Sequence, residues 1–265
     1  MAQNHSEKSA PLTLSYVLFI ILFLSCTAVM VILCMIFGGE YSPFLKDTYT
    51  PSTQNAPVIV IDAGHGGEDG GTSGQIGNRK ILEKHLNLDI AEQLATLLTE
   101  QGYTVVMTRT EDRLLYDRSV DFQGRKKALD MAARLAIVEQ AQNQGEVIFV
   151  SIHQNSFRDP AYSGLQVYYS PISPASATLA QSIQNHAREQ LAPDNHRKIK
   201  PGGDIYLLKR LSCPAVLVEC GFLSHPAECA ALADETYQNR LAYAIFCALR
   251  EYSAEHLGTA NVPAP

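Results

Sequence analysis

The sequence contains no C-x-x-C pair, no surplus of basic residues, no internal repeat and no complete phosphate-binding loop. Each gap removes a class of function. Six cysteines are present, but Cys26 and Cys34 lie in an apolar run and Cys213, Cys220, Cys229 and Cys247 are scattered, so the thiolate sets of zinc ribbons and redox pairs are missing. Most of the last four fall in apolar surroundings, where a buried free thiol is the plainer reading, although an exported domain would also permit disulfides. A formal net charge of -6 and a pI of about 5.7 exclude the clustered Lys and Arg that neutralise phosphates, and with them a nucleic-acid partner. The one basic knot, "HRKIK" from His196 to Lys200, reads as a solvated loop.

The stretch "VIVIDAGHGGEDGG", Val58 to Gly71, invites a phosphate reading and fails it. Gly64 and Gly66 supply two glycines of a G-x-G-x-x-G loop, but Asp69 stands where the third belongs, and Gly66 to Gly71 is followed by Thr72 rather than the Lys of a P-loop. Asp62, Glu68 and Asp69 would repel a polyanion as well.

A charge-free run over 12–37, "LTLSYVLFIILFLSCTAVMVILCMIF", exceeds the roughly 20 residues that span a bilayer as a helix. It lacks the short apolar core and small-residue cleavage site of a signal peptide, so it is expected to be an uncleaved single-pass anchor after a short tail over 1–11. Lys8 and the amino terminus on one side, against Glu40, Lys46 and Asp47 on the other, favour a cytoplasmic N-terminus and an extracytoplasmic domain. Residues 38–56, rich in Gly, Pro, Ser and Thr, read as a linker, 57–256 as one folded domain, and 257–265 as a disordered tail.

Within that domain, strand-like and helix-like segments alternate: "VIVID", a helix from about Ile81 to Glu100, "YTVVMTR", a helix through "KALDMAARLAIVEQA", "VIFVSIH", "LQVYY", a helix through "ATLAQSIQNHAREQL", "AVLVECGF", and a last helix ending near Tyr252. The rhythm predicts an α/β fold: a twisted, mostly parallel central sheet flanked by helices on both faces. Three apolar strands end on ionisable residues, His65, His153 and Glu219, and the carboxyl ends of parallel strands share one edge, where ligands bind. Glu83 extends the apolar stripe Leu86, Ile90, Leu94, Leu97, Leu98 backwards, which aims its carboxylate inward at the His65 loop. An unpaired carboxylate there would be costly, so a cation is its natural partner; Arg79, Lys80 and Lys84 are the ordinary alternatives. Two imidazoles and one carboxylate fill three of the tetrahedral positions of Zn²⁺ and leave one for water, the layout of a catalytic zinc site. Glu219 is then free for proton transfer, and the chemistry is amide hydrolysis.

"IDAGHGGEDGG", the "EK" of Glu83 and Lys84, "VSIHQN" and "PAVLVECGFLSHPAE" resemble, in order and spacing, the zinc-dependent N-acetylmuramoyl-L-alanine amidases (amidase type 3), over about Val58 to Tyr252. The resemblance implies that His65, Glu83 and His153 hold zinc, that Glu219 is catalytic, and that the substrate is peptidoglycan. Ala63, Gln154 and His225 depart from the residues frequent at those positions, and none is an implied ligand. The anchor, "VECGFLS" and "GGDIYLLKR" look closest to spore-cortex, germination-type amidases, which implies a role on the way to muramic lactam, a place at the cell-wall side or in the forespore intermembrane space, and room for an activating partner protein. The alternative is a wall-binding or regulatory module of the same fold without catalysis, against which all four residues speak.

Other candidates read more plainly. His85 is expected to be exposed, His186 to be a half-buried helix residue, and His196 and His225 to lie in loops. Arg109, ending "VVMTR", could meet a substrate carboxylate or pair with a nearby Asp.

Overall fold

The structure, a computed structural model, describes residues 56–116 and 124–257 and, apart from these, Phe23. The expected anchor over 12–37, the tail over 1–11 and nearly all of the linker and C-terminal tail lie outside the described residues. Among the described residues no helix is long and apolar enough to cross a membrane. The chain divides after Thr50, and the fold lies in the second unit.

Six strands form the central sheet. β1 (Val58–Ala63) is paired in parallel with β4 (Thr104–Met107) on one side and β5 (Val147–Asn155) on the other, and β5 with β8 (Ala215–Phe222). β6 (Gln166–Tyr169) runs antiparallel to β8 and carries the two-residue β7 (Lys200–Pro201) at its outer edge, for the order β4-β1-β5-β8-β6-β7. The sheet is thus mostly parallel, as its near-continuous apolar strands predict.

Alternation along these strands sorts the core into two layers. Ile59 and Ile61 of β1, Ile148 and Val150 of β5, and Val216 and Val218 of β8 pack with three helices: α1 (Glu83–Glu100), α3 (Ala175–Leu191) and α5 (Glu235–His256). Val58, Val60, Phe149 and Leu217 pack on the other face with Val138 and Ala141 of α2 (Lys126–Gln142) and with Leu207, Leu208 and Leu211. α1 buries Leu86, Ile90, Leu94 and Leu98 at a spacing of four, which is why it forms and which way it faces. Cys213, Cys220, Cys229 and Cys247 are buried free thiols.

Besides the two-residue β7, a hairpin and a short helix go beyond the elements that the sequence predicts. β2 (Ser73–Ile76) and β3 (Arg79–Leu82) form an antiparallel hairpin, so the helix expected from about Ile81 starts at Glu83 instead. A short helix, α4 (Pro226–Leu232), begins at His225, whose ring Nδ1 accepts from the Glu228 N–H at 3.2 Å. The hairpin matters for the site, because α1 has no side-chain cap: Glu83 N–H donates to Thr72 O (3.0 Å) and Lys84 N–H to Gly70 O (3.3 Å). The first turn of α1 is therefore docked on the glycine loop that carries His65.

Candidate metal centre

His65, Glu83 and His153 converge beyond the carboxyl edge of β1 and β5, with one possible ligand atom from each lying within 4.8 Å of the others. His65 Nε2 stands 3.2 Å and His153 Nδ1 3.0 Å from the same oxygen, Oε1, of Glu83. Donors 2.0–2.1 Å from one tetrahedral centre lie about 3.3 Å apart, so the spacing suits zinc, as does the pairing of two imidazoles with one carboxylate.

Each side chain is delivered differently. His153 sits near the end of β5, in register with Glu219 on β8, so the sheet ladder itself sets these two side by side. His65 follows β1 in a turn closed by a Gly66–Asp69 bridge, with a backbone φ of 62°, a left-handed conformation that costs a non-glycine residue about 1 kcal/mol or more. Two glycines are needed for close approach: a Cβ at Gly64 would overlap the His153 ring, and one at Gly71, which also has a positive φ of 66°, would overlap the Glu83 carboxylate and the His65 ring. Glu83 opens α1 and is 3% exposed.

The expected lysine and arginine alternatives do not take the Glu83 carboxylate. Its Oε2 accepts from Thr72 N–H (2.7 Å), its Oε1 from Gln154 N–H (3.0 Å), and Lys84 instead meets Asp112 at 2.6 Å. Burial opposes the charge on Glu83, yet hydrogen bonds from His153 and His65 outweigh it and hold the carboxyl far below its usual range. His65 is likewise opposed by burial but raised by the carboxylates of Glu83 and Asp69. Both shifts describe protons where a dication would sit; a bound metal takes ionised carboxylate and neutral imidazole and displaces those protons.

Burial raises the pKa of Glu219, His153 opposes that, and Glu83 adds to it. Its Oε2 is buried and has no hydrogen-bond partner among the described residues. A buried carboxylate oxygen left unmet beside a cluster of potential ligands fits a hydrogen-bonding group from outside the chain. A cavity of about 130 Å³ opens next to the two imidazoles, lined by apolar Met131, Phe149, Ile205 and Leu217 and by exposed Lys127.

Sequence reasoning missed the shell behind these residues. The Asp69 carboxylate lies 2.9 Å from His65 Nδ1, out of line for a good hydrogen bond but close enough to orient the ring. Asn87, one turn after Glu83, donates to Gly64 O at 3.1 Å and accepts from Gln154 Nε2 at 3.2 Å. Its spacing of four from Glu83 on the inward stripe was the available signal. Below the turn, Asp62 accepts from Arg134, Ser151 and Thr108, and Arg134 also meets Asp130. Burial would raise the Asp62 carboxyl, but chiefly the Arg134 guanidinium holds it down at about 2.

The remaining histidines lie elsewhere: His85 is half exposed near Asp112, His186 pairs with Glu251 between α3 and α5, and His225 caps α4. Arg109 is fully buried, and the carbonyl oxygens of Ala63, Gly64, Lys84 and Glu111, rather than an Asp side chain, accept its hydrogen bonds.

The family described as N-acetylmuramoyl-L-alanine amidase matches residues 59–251. The germination-specific N-acetylmuramoyl-L-alanine amidase of Bacillus subtilis is 32% identical over 227 residues, which cover 85% of this chain and 92% of that one. Among solved structures, the CwlD amidase of Clostridioides difficile, in complex with the GerS lipoprotein, is 36% identical with a TM-score of 0.67, over 75% of this chain and 98% of that one. The amidase AmiC2 of Nostoc punctiforme is 31% identical with a TM-score of 0.61, again over 75% and 98%.

Proposed function

The chain belongs to the N-acetylmuramoyl-L-alanine amidase family, and on that footing we propose that it is a zinc hydrolase cutting the amide between the lactyl carboxyl of muramic acid and L-alanine in peptidoglycan. The observation that carries the zinc reading is the convergence of His65 Nε2 and His153 Nδ1 on Glu83 Oε1 beside the unmet Oε2 of Glu219.

His65, Glu83 and His153 would hold the metal, which when bound polarises a carbonyl and makes water a usable nucleophile near neutral pH. Glu219 supplies the proton transfers. Its carboxylate takes a proton from the attacking water and gives it to the nitrogen of L-alanine, so that the C–N bond breaks with a neutral amine leaving and a lactyl carboxylic acid remaining, whose proton then passes to solvent at neutral pH. Thr72 and Gln154 N–H groups hold the Glu83 carboxylate in place during this, and Asp69 steadies the His65 ring.

The name of the Bacillus subtilis relative supports a role in the spore cortex, where removal of the stem peptide precedes muramic lactam formation. The run over 12–37 would anchor the catalytic domain, residues 57–256, on the outer side of a membrane, and the lipoprotein bound to the Clostridioides difficile amidase makes an activating partner part of this proposal.

The test is digestion of purified muropeptides with and without chelator, with bound zinc measured in parallel. Release of stem peptide bearing a free L-alanine amine, lost with chelator and regained with zinc, is the expected result. Full zinc occupancy without cleavage, in the presence of any required partner, would favour the wall-binding alternative.

A further inference from the structure

Arg109 lies in the segment that follows β4, buried to 1% exposure, with no carboxylate side chain among its hydrogen-bond partners. Its guanidinium is spent on backbone. Nε donates to Ala63 O at 2.8 Å, Nη2 to Gly64 O at 3.0 Å and to Lys84 O at 2.7 Å, and Nη1 to Glu111 O at 3.2 Å. Ala63 and Gly64 lead directly into His65, and Lys84 directly follows Glu83. One side chain thus grips the main chain beside two of the three candidate ligands.

A second tie lies three residues on. Asp112 accepts from Gly67 N–H at 2.7 Å and from Lys84 Nζ at 2.6 Å, while Lys84 Nζ also donates to Gly67 O at 2.7 Å. The strap from Arg109 to Asp112 therefore joins the glycine turn to the first turn of α1 on both sides of His65, at Gly64 and at Gly67.

The strap answers a mechanical need. His153 is placed by the sheet, but His65 and Glu83 stand outside it, on a glycine-rich turn with a left-handed residue and on a helix end without a side-chain cap. Such a turn has many conformers of similar energy, and a tetrahedral ion tolerates few of them. A guanidinium offers five donors in a rigid plane and can hold several carbonyls in fixed relation, whereas an ammonium is a point donor on a flexible stem.

We propose that Arg109, seconded by the Lys84–Asp112 pair, is a positioning residue that fixes His65 against Glu83 and so sets the affinity and coordination geometry of the metal centre. The inference rests on reading His65, Glu83 and His153 as that centre. Arg109 touches no substrate, and its effect reaches the chemistry through the two ligands.

The experiment uses the full chain purified in detergent, stripped of metal, as Arg109→Lys, Lys84→Met and, as a stability control in the opposite core layer, Val138→Ala. Zinc affinity is read by competition with a chromophoric chelator, coordination by the visible spectrum of the Co²⁺ form, and stability by Tm of the metal-free protein. Arg109→Lys is expected to weaken zinc binding about 10- to 100-fold and to shift the Co²⁺ bands. Lys84→Met acts in the same direction and more weakly, while Val138→Ala lowers Tm and leaves zinc affinity within about twofold of wild type. The proposal is overturned if Arg109→Lys keeps wild-type zinc affinity and Co²⁺ bands, or, should that variant not fold, if Lys84→Met keeps both. Wild-type protein that binds no zinc would instead remove the metal reading itself, and this inference with it.

Discussion

The site is assembled from two halves that are held by different physics. His153 and Glu219 stand on adjacent parallel strands, in register, and need only the β5–β8 ladder and the aliphatic layers beneath it. His65 and Glu83 stand on a turn and a helix end, and behind them lie Asp62, Arg134, Asp130, Arg109 and Asn87, polar groups removed from water. Hydrophobic burial is forgiving of small shape changes, whereas buried charges are held by specific partners and fail when one is removed. The strand half should therefore tolerate substitution that the turn half does not.

The largest effect should come from Arg134→Met, which leaves Asp62 and Asp130 buried without their cation. A loss of about 3–5 kcal/mol in urea unfolding, together with loss of zinc, is expected from breaking such a pair. Gly64→Ala strikes where the two halves touch, since the new methyl overlaps the His153 ring. It should cost about 1–3 kcal/mol by overpacking and weaken zinc binding measured by chelator competition at least about tenfold.

Acid probes the same support without mutation. The Asp62 carboxyl titrates at about 2 when folded against an ordinary value of 3.8, so the unfolded chain takes up the proton first. Its contribution, about 2 kcal/mol, is present in full above roughly pH 5 and is lost as pH falls through 4 toward 2. Metal-free wild type followed by circular dichroism should show this decline, and Asp62→Asn, if it folds, should show a shallower one. The smallest effect belongs to the strand half: Ile152→Val beside His153 should cost about 0.5–1.5 kcal/mol and leave zinc affinity unchanged. A large zinc effect from Ile152→Val would erase the contrast between the halves.

Legibility in the sequence divides along the same line. "VIVID", "VIFVSIH" and "AVLVECGF" announce buried strands by their unbroken branched residues, and once the strands are parallel their ends must share an edge, which brings His153 and Glu219 together. Glu83 is readable from its place on the α1 stripe. The hairpin is not, because "SGQI" and "RKIL" are largely exposed and carry little apolar alternation, and α4 is too short for periodicity to register. Arg109, Arg134 and Asp130 are of types that sit at surfaces, so their burial follows only from three-dimensional pairing. That Gly64 and Gly71 make room for an imidazole and a carboxylate appears only when β5 and α1 are in place.

The central claim is a division of labour: three residues hold zinc and the fourth moves protons. Glu219→Gln tests it directly, with zinc content and stem-peptide release measured on the same preparation. The account predicts one zinc per chain, as in wild type, with release slowed by about 10²- to 10⁴-fold. Wild-type release from Glu219→Gln, or loss of its zinc in a folded protein, would contradict it.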